Sequence, residues 1–280
     1  MRIGLSAGAP TAERAIQQAV EAERDGFSSL WYPGAVGGDP LVQMALAGRA
    51  TATLELGTSV LQTYQCHPTL QASRILAVAD AVGRPVTLGI GPSHAPAVER
   101  LGYSYEGVGR HTEDYVQALA PLLDDRVPLL LAALAPRLLR VAGQFTAGTI
   151  LWMANAAAID SHVRPRITAA AEAAGRPAPR IVAGLPVAVH DDVDEARRAG
   201  GEQFAIYGTL PNYERILARG GIAAPSEAVI VGDEEAVEAQ ITALFEAGAT
   251  DVWAAPFPVG ADRAASRART RALLAGLARR

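Results

Sequence analysis

The chain has no lysine, a single cysteine (Cys66), and no uncharged apolar run of membrane-spanning length. One thiol cannot close an internal disulfide or supply a multi-cysteine metal site. The opening Met1-Arg-Ile-Gly-Leu-Ser-Ala-Gly8 is too brief in apolar content for a secretory signal, so a soluble, cytoplasmic protein without a membrane partner is expected. All 25 basic residues are arginine and are scattered over most predicted helices, which reads as coding bias rather than a recognition patch. A net charge of −4 gives no reason to expect a nucleic-acid partner.

What is present is apolar. The 280 residues are 50% hydrophobic and 19% charged, enough for a substantial core and within the range where an α/β barrel forms one domain. No linker rich in Pro, Gly or Ser divides the chain, so residues 1–280 read as a single domain.

Eight short apolar strands are predicted: Arg2–Ser6, Ser28–Tyr32, Leu54–Val60, Pro85–Ile90, Val127–Ala132, Gly148–Met153, Arg180–Val189 and Asp251–Ala255. Helical segments separate most of them. In the first, Ala12, Ala15, Ile16, Ala19 and Val20 form an apolar stripe, with Thr11 as N-cap and Asp25-Gly26 as the stop. Continuous apolar strands alternating with amphipathic helices indicate a parallel sheet covered on its outer face, and eight units indicate a closed (β/α)₈ TIM barrel. The seventh unit carries extra helical material before the eighth strand, expected to lie outside the barrel.

Reactive groups of such a barrel come from the carboxyl ends of its strands. Here those ends are rich in small residues, which let a flat ring or a phosphate approach the backbone. Gly89-Ile-Gly91 has His94 where a dinucleotide fingerprint needs its third glycine, so a Rossmann site is disfavoured. The two glycines either relieve crowding at the strand end or border a phosphate or ring. Pro136 fits the first turn of a helix after Ala135; that helix end is either a phosphate site or an ordinary junction.

No two of the five histidines have metal-like spacing. His111 and His162 fall in predicted helices, His67 shapes a turn before Pro68, and His190 adjoins acids that cap the next helix. His94 alone lies just past a strand end in a small-residue loop, where an imidazole suits proton transfer. Cys66 lacks a base at recognisable spacing and reads as a packed thiol; Tyr64 either reaches a substrate or packs at the rim.

The order Gly57-Thr-Ser-Val60, His67-Pro68, Gly83-Arg-Pro-Val-Thr-Leu-Gly-Ile-Gly91, Ala132-Ala-Leu-Ala-Pro-Arg137 and Gly184-Leu-Pro-Val-Ala-Val189 resembles the bacterial luciferase-like superfamily over nearly the whole chain. Gly232-Asp-Glu-Glu-Ala-Val237 and Ala247-Gly-Ala-Thr-Asp-Val252 are most similar to its branch using the deazaflavin coenzyme F-420. The resemblance implies a ring site at the third strand end, with a cis peptide between Ser59 and Val60. It also implies ring contacts from Gly89, Gly91 and Ser93, and phosphate contacts from the backbone of Ala132, Ala133, Leu134 and Ala135. His94 would stand where some relatives carry a proton-transferring glutamate. A homodimer through the helices near the second and third strands is implied as well.

Three departures accompany the likeness. Trp31-Tyr-Pro-Gly34 lacks the acid–histidine pair of some deazaflavin enzymes, Leu123-Asp-Asp-Arg-Val127 is shorter than the usual insertion, and Thr146-Ala-Gly148 replaces the common Ala-Asp-Gly. They imply a more open pocket and weaker coenzyme binding. The expected activity is F-420-dependent hydride transfer to or from a small organic substrate. The alternatives are an FMN-dependent monooxygenase fed by a partner reductase, and a ligand-binding barrel without catalysis.

Overall fold

In strands such as Ile3–Ser6 (IGLS) and Ser29–Tyr32 (SLWY) almost every residue is buried, because inward side chains fill a barrel while outward ones meet helices. The computed structural model describes residues 1–34 and 38–280. The first half runs β1 (Ile3–Ser6), α1 (Ala12–Arg24), β2 (Ser29–Tyr32), α2 (Pro40–Ala50), β3 (Glu55–Thr58), β4 (Leu61–Gln62), α3 (Pro68–Val82), β5 (Leu88–Gly91), α4 (Ala95–Glu99), α5 (Val108–Leu119) and β6 (Leu129–Leu131). It continues with α6 (Pro136–Phe145), β7 (Gly148–Trp152), α7 (Ala156–Ala158), a π-turn (Ile159–Val163), α8 (Arg164–Ala173) and β8 (Arg180–Val189). Then follow α9 (Val193–Gln203), a 3₁₀ turn (Ala205–Thr209), α10 (Pro211–Arg219), α11 (Pro225–Ala228), β9 (Ile230–Gly232), α12 (Glu234–Glu246), β10 (Asp251–Pro256) and α13 (Arg263–Ala278).

All pairings are parallel, in the order β3-β2-β1-β10-β8-β7-β6-β5-β4. A bridge between Gly57 and Thr87 brings the two edges together, so β3 and β4 act as one broken barrel strand and the wall has the eight strands expected. The sequence reading missed β9, a three-residue strand that pairs with Val187–Val189 beyond the wall.

Two indoles dominate the barrel interior. Trp31 and Trp253 pack with Leu130, Ile150 and Val182, and glycines make room for them: a Cβ at Gly57 would stand 2.5 Å from Trp31, and one at Gly184 2.1 Å from Trp253. At the amino-terminal end, Arg180 plugs the barrel. It donates to Asp251 at 2.5 and 2.8 Å and to Glu55 at 2.7 and 3.0 Å, and its guanidinium lies 5.6 Å from the Trp31 ring centroid. Arg2 bonds both acids from outside.

Helix α1 begins at Thr11, whose hydroxyl accepts from Arg14 N–H, and ends at Asp25-Gly26, as expected. Its buried face differs from the predicted stripe: Ala15, Ala19 and Ala22 face inward, whereas Val20 is 44% exposed. The small alanines let the helix sit close to the wall, so the alanine row rather than the larger Val20 sets the inner face.

The extra material between β8 and β10 stays out of the wall, since β8 pairs directly with β10. It is not peripheral, however. α10 crosses the carboxyl end of the barrel, held at one end by Asn212 and at the other by Asn155, whose amide donates to Gly220 O at 3.0 Å. No helix among the described residues is long and apolar enough to cross a membrane.

Candidate active site

The site starts where the third barrel strand breaks. The Thr58 hydroxyl substitutes for the backbone ladder, donating to Gly89 O at 2.7 Å and accepting from Gly89 N at 2.9 Å. The Ser59–Val60 peptide is cis, as the resemblance implied, and pairing resumes with Leu61 opposite Ile90. Backbone crowds this break from both sides. A Cβ at Gly34 would fall 2.4 Å from Val60 O; one at Gly89 would fall 2.0 Å from Thr58 O; one at Gly91 would press on Ala132 and Val60 at 2.9 and 3.0 Å. Close packing therefore accounts for glycine at 89 and 91 without any ligand. Gly89→Ala is expected to cost about 3 kcal/mol, read as a lowered urea midpoint with unchanged slope, because a backbone carbonyl blocks the new methyl.

Val60, Ala132, Trp152 and Ala255 lie half-buried above the inner cluster and form a shelf of mostly small side chains at the mouth. Trp152 stacks on Trp253 with centroids 5.0 Å apart. Under the broken strand, the buried Ser59 Oγ and Gln62 Oε1 have no hydrogen-bond partner among the described residues. Residues 35–37, which follow β2 in the chain, lie outside the described residues.

His94 caps the amino end of α4, and its half-buried imidazole makes no hydrogen bond with the described residues. Burial pushes its pKa below the ordinary histidine value, which favours the neutral ring. The loop carrying it is held by the extra segment. Ser93 takes a left-handed conformation (φ +63°), its carbonyl accepts from Tyr105 OH at 2.8 Å, and Asn212 reaches that hydroxyl at 3.5 Å. The Tyr213 ring meets His94 edge-on at 5.6 Å; Tyr207 joins Tyr213 (4.7 Å) to Trp152 (5.8 Å), and Phe204 adds a further edge to Trp152 (5.9 Å). An aromatic wall thus links the ends of β5 and β7.

The Ala132–Ala135 stretch leads into α6, whose N-cap Ala135 has no side-chain hydrogen bond and whose first position is Pro136, as expected. Ala133 is fully buried, backbone and side chain alike. Between this helix start and α10 lies a cavity of about 60 Å³, lined by Ala135, Pro136, His162, Asn212, Arg215 and Arg219 among others. His162 is 3% exposed, and its Nε2 lies 2.9 Å from Leu134 O.

The remaining candidates are structural. His67 accepts from Thr69 N–H as the N-cap of α3, His190 pairs with Glu195 at 3.0 Å, and Asp192 caps α9. Tyr64 stacks on His111 at 3.8 Å, the contact that the rim-packing reading expects, and the Cys66 thiol donates to His67 O at 3.6 Å. Sequence reasoning missed Arg215 and Arg219, although their i, i+4 spacing on one helix was readable. It also missed Tyr207 and Tyr213, for which no local pattern exists.

A family model described as luciferase-like monooxygenase matches residues 1–251. A 5,10-methylenetetrahydromethanopterin reductase of Methanolobus tindarius is 22% identical over 235 residues, covering 75% of this chain and 72% of that protein. Among solved structures, an F-420-dependent secondary alcohol dehydrogenase in complex with an F-420–acetone adduct superposes with TM-score 0.75 at 17% identity, covering 91% of this chain and 93% of the other. The oxygenating constituent of 3,6-diketocamphane monooxygenase from Pseudomonas putida, in complex with FMN, gives 0.72 at 18%, covering 98% and 96%. With nine-tenths of its length under one family model and the barrel, the broken third strand and the mouth in place, the chain belongs to the luciferase-like monooxygenase family.

Proposed function

We propose that the protein is an oxidoreductase that uses coenzyme F-420 to move a hydride between the deazaflavin and a small organic substrate. The observation that carries this reading is His94: a half-buried imidazole without a hydrogen-bond partner among the described residues, at the lip of a small-residue shelf. Residues present fit a ring coenzyme. Val60, Ala132 and Ala255 leave a flat surface, the unpartnered Ser59 Oγ and Gln62 Oε1 lie beneath the break, and the uncapped α6 start suits a phosphate.

When bound, the deazaflavin supplies the two-electron chemistry. The protein holds ring and substrate between the shelf and the aromatic wall of Trp152, Tyr207 and Tyr213, which lowers the entropic part of the barrier. In the direction of alcohol oxidation, a C–H bond gives up its hydride while the imidazole of His94 takes the hydroxyl proton, leaving a carbonyl. In reduction the imidazolium returns that proton. The relatives named as F-420 enzymes support the coenzyme assignment, and the FMN-bound neighbour supports its competitor. A homodimer through α2 and α3 accompanies the reading, since Val42 and Leu70 expose more than half their surface there.

Fluorescence titration with each coenzyme tests the proposal. Saturable binding of F-420, tighter than that of FMN, is expected. Preference for FMN would assign the chain to flavin monooxygenation, and failure to bind either would leave a non-catalytic barrel.

A further inference from the structure

Beyond the shelf, the space left for a substrate is bounded by rings. Trp152 has one face fixed against Trp253, with 24° between their planes, and Phe204 and Tyr207 meet it at 67° and 62°. Tyr213 closes the row between Tyr207 and His94. Each of these ring pairs lies within the separation of about 4.5–7 Å that aromatic pairs prefer, so packing fixes the shape of the corner they form. Trp152, Phe204 and Tyr207 are only half-buried, and each still shows part of its surface.

No side chain of this corner or of the shelf carries a charge. Burial raises the phenols of Tyr207 and Tyr213 above the ordinary tyrosine value, so both stay protonated. His94 is the one imidazole beside them, and burial disfavours its cation. Arg215 and Arg219 project from the exposed side of α10, away from the buried Tyr213. Other charged groups near the strand ends are committed to one another, Asp39 to Arg74 and Glu113 to Arg137. A charged substrate group entering the corner would lose water and gain no counter-ion.

The approach to the corner is apolar as well. On the loop after α4, Leu101 and Tyr103 are 44% and 54% exposed, and Tyr103 leans on Tyr64 at 5.7 Å, just past the broken strand. On the β7 side of the mouth Ile206, next to Tyr207, is 60% exposed. Exposed apolar residues scattered singly are ordinary, but these flank one opening.

We propose that the substrate is an uncharged, ring-bearing carbonyl compound or the corresponding alcohol, seated in the corner of Trp152, Phe204 and Tyr207, and that Tyr207 sets the preference for a ring. The inference deepens the oxidoreductase reading and rests on it for the carbonyl–alcohol couple. The charge and shape of the occupant follow from the corner itself, which leaves phosphorylated and carboxylate substrates outside the class.

Acetophenone, cyclohexyl methyl ketone and 4-acetylbenzoate share a methyl ketone and differ in ring character and charge. Their dissociation constants are measured calorimetrically in protein saturated with whichever coenzyme binds, or in unliganded protein if neither does. Acetophenone should bind about twofold to tenfold tighter than cyclohexyl methyl ketone, the usual worth of an aromatic pair, and at least about a hundredfold tighter than 4-acetylbenzoate. Tyr207→Leu should erase the first ratio and keep the second, and Tyr207→Phe should keep both, with unchanged thermal midpoints confirming that each variant folds. The proposal is overturned if acetophenone does not bind, if the benzoate or the saturated ketone binds as tightly, or if the ring preference survives in Tyr207→Leu. If F-420 fails to bind while the order of the three ketones holds, the coenzyme reading falls and the substrate class stands.

Discussion

The His94→Ala substitution is expected to lower turnover about 10²–10⁴-fold, the usual worth of one positioned proton-transfer group. Coenzyme dissociation constants should stay within about twofold, because the shelf and the α6 start lie on other elements. The pH profile separates chemistry from mere packing. Burial lowers the His94 pKa, so in the oxidation direction the required neutral form predominates above that depressed value. The rate should be level through pH 7–8 and fall as the solution is acidified below the ordinary histidine value of about 6.5. Unchanged turnover in the alanine variant, or a profile that keeps its acid limb without the imidazole, would remove His94 from the mechanism.

Asp251→Ala should be the most damaging change to stability, about 3–5 kcal/mol by urea unfolding, because it strands Arg180 in the barrel floor with half its ligands gone. Asp251 is nearly inaccessible, with 2% of its side chain exposed, so water cannot replace it. Burial alone would raise the Asp251 pKa; hydrogen bonds from Arg180, Thr250 and Arg2, with the charge of Arg180, outweigh it and hold the carboxyl below its usual range. A depressed folded pKa means that stabilisation is complete above the unfolded value of about 3.9 and is lost as pH falls through the folded one. The acid limb of the stability curve should therefore flatten in Asp251→Asn. A loss under about 1 kcal/mol in the alanine variant would show that the plug is solvated.

Strand number was legible because strands buried on both faces leave unbroken apolar runs, and Arg180–Val189 was placed to the residue. The break in the third strand was not legible from pattern: Leu54–Val60 reads as one run, and only the resemblance marked Ser59. β9 escaped because Ile230–Gly232 is too short to show alternation. The site divides the same way. His94 was a candidate from its own loop, whereas Tyr213 and Asn212, which hold that loop from more than a hundred residues away, carry no local signal. Gly89 and Gly91 left two readings open, and the crowding one rests on the Thr58 carbonyl and Val60, neighbours that only folding supplies.

Because β8 pairs with β10 without help from what lies between them, the barrel wall closes independently of its roof. Residues 205–228 leave from the end of α9 and return at β9, two elements that touch, so the stretch is a closed excursion whose ends stay together whatever it contains. A change in its length or sequence should leave the β8–β10 pairing of the barrel intact. New substrates should then arise by drift in this one patch of sequence, and a chimera that swaps it between relatives should inherit the donor's preferences on the recipient's frame.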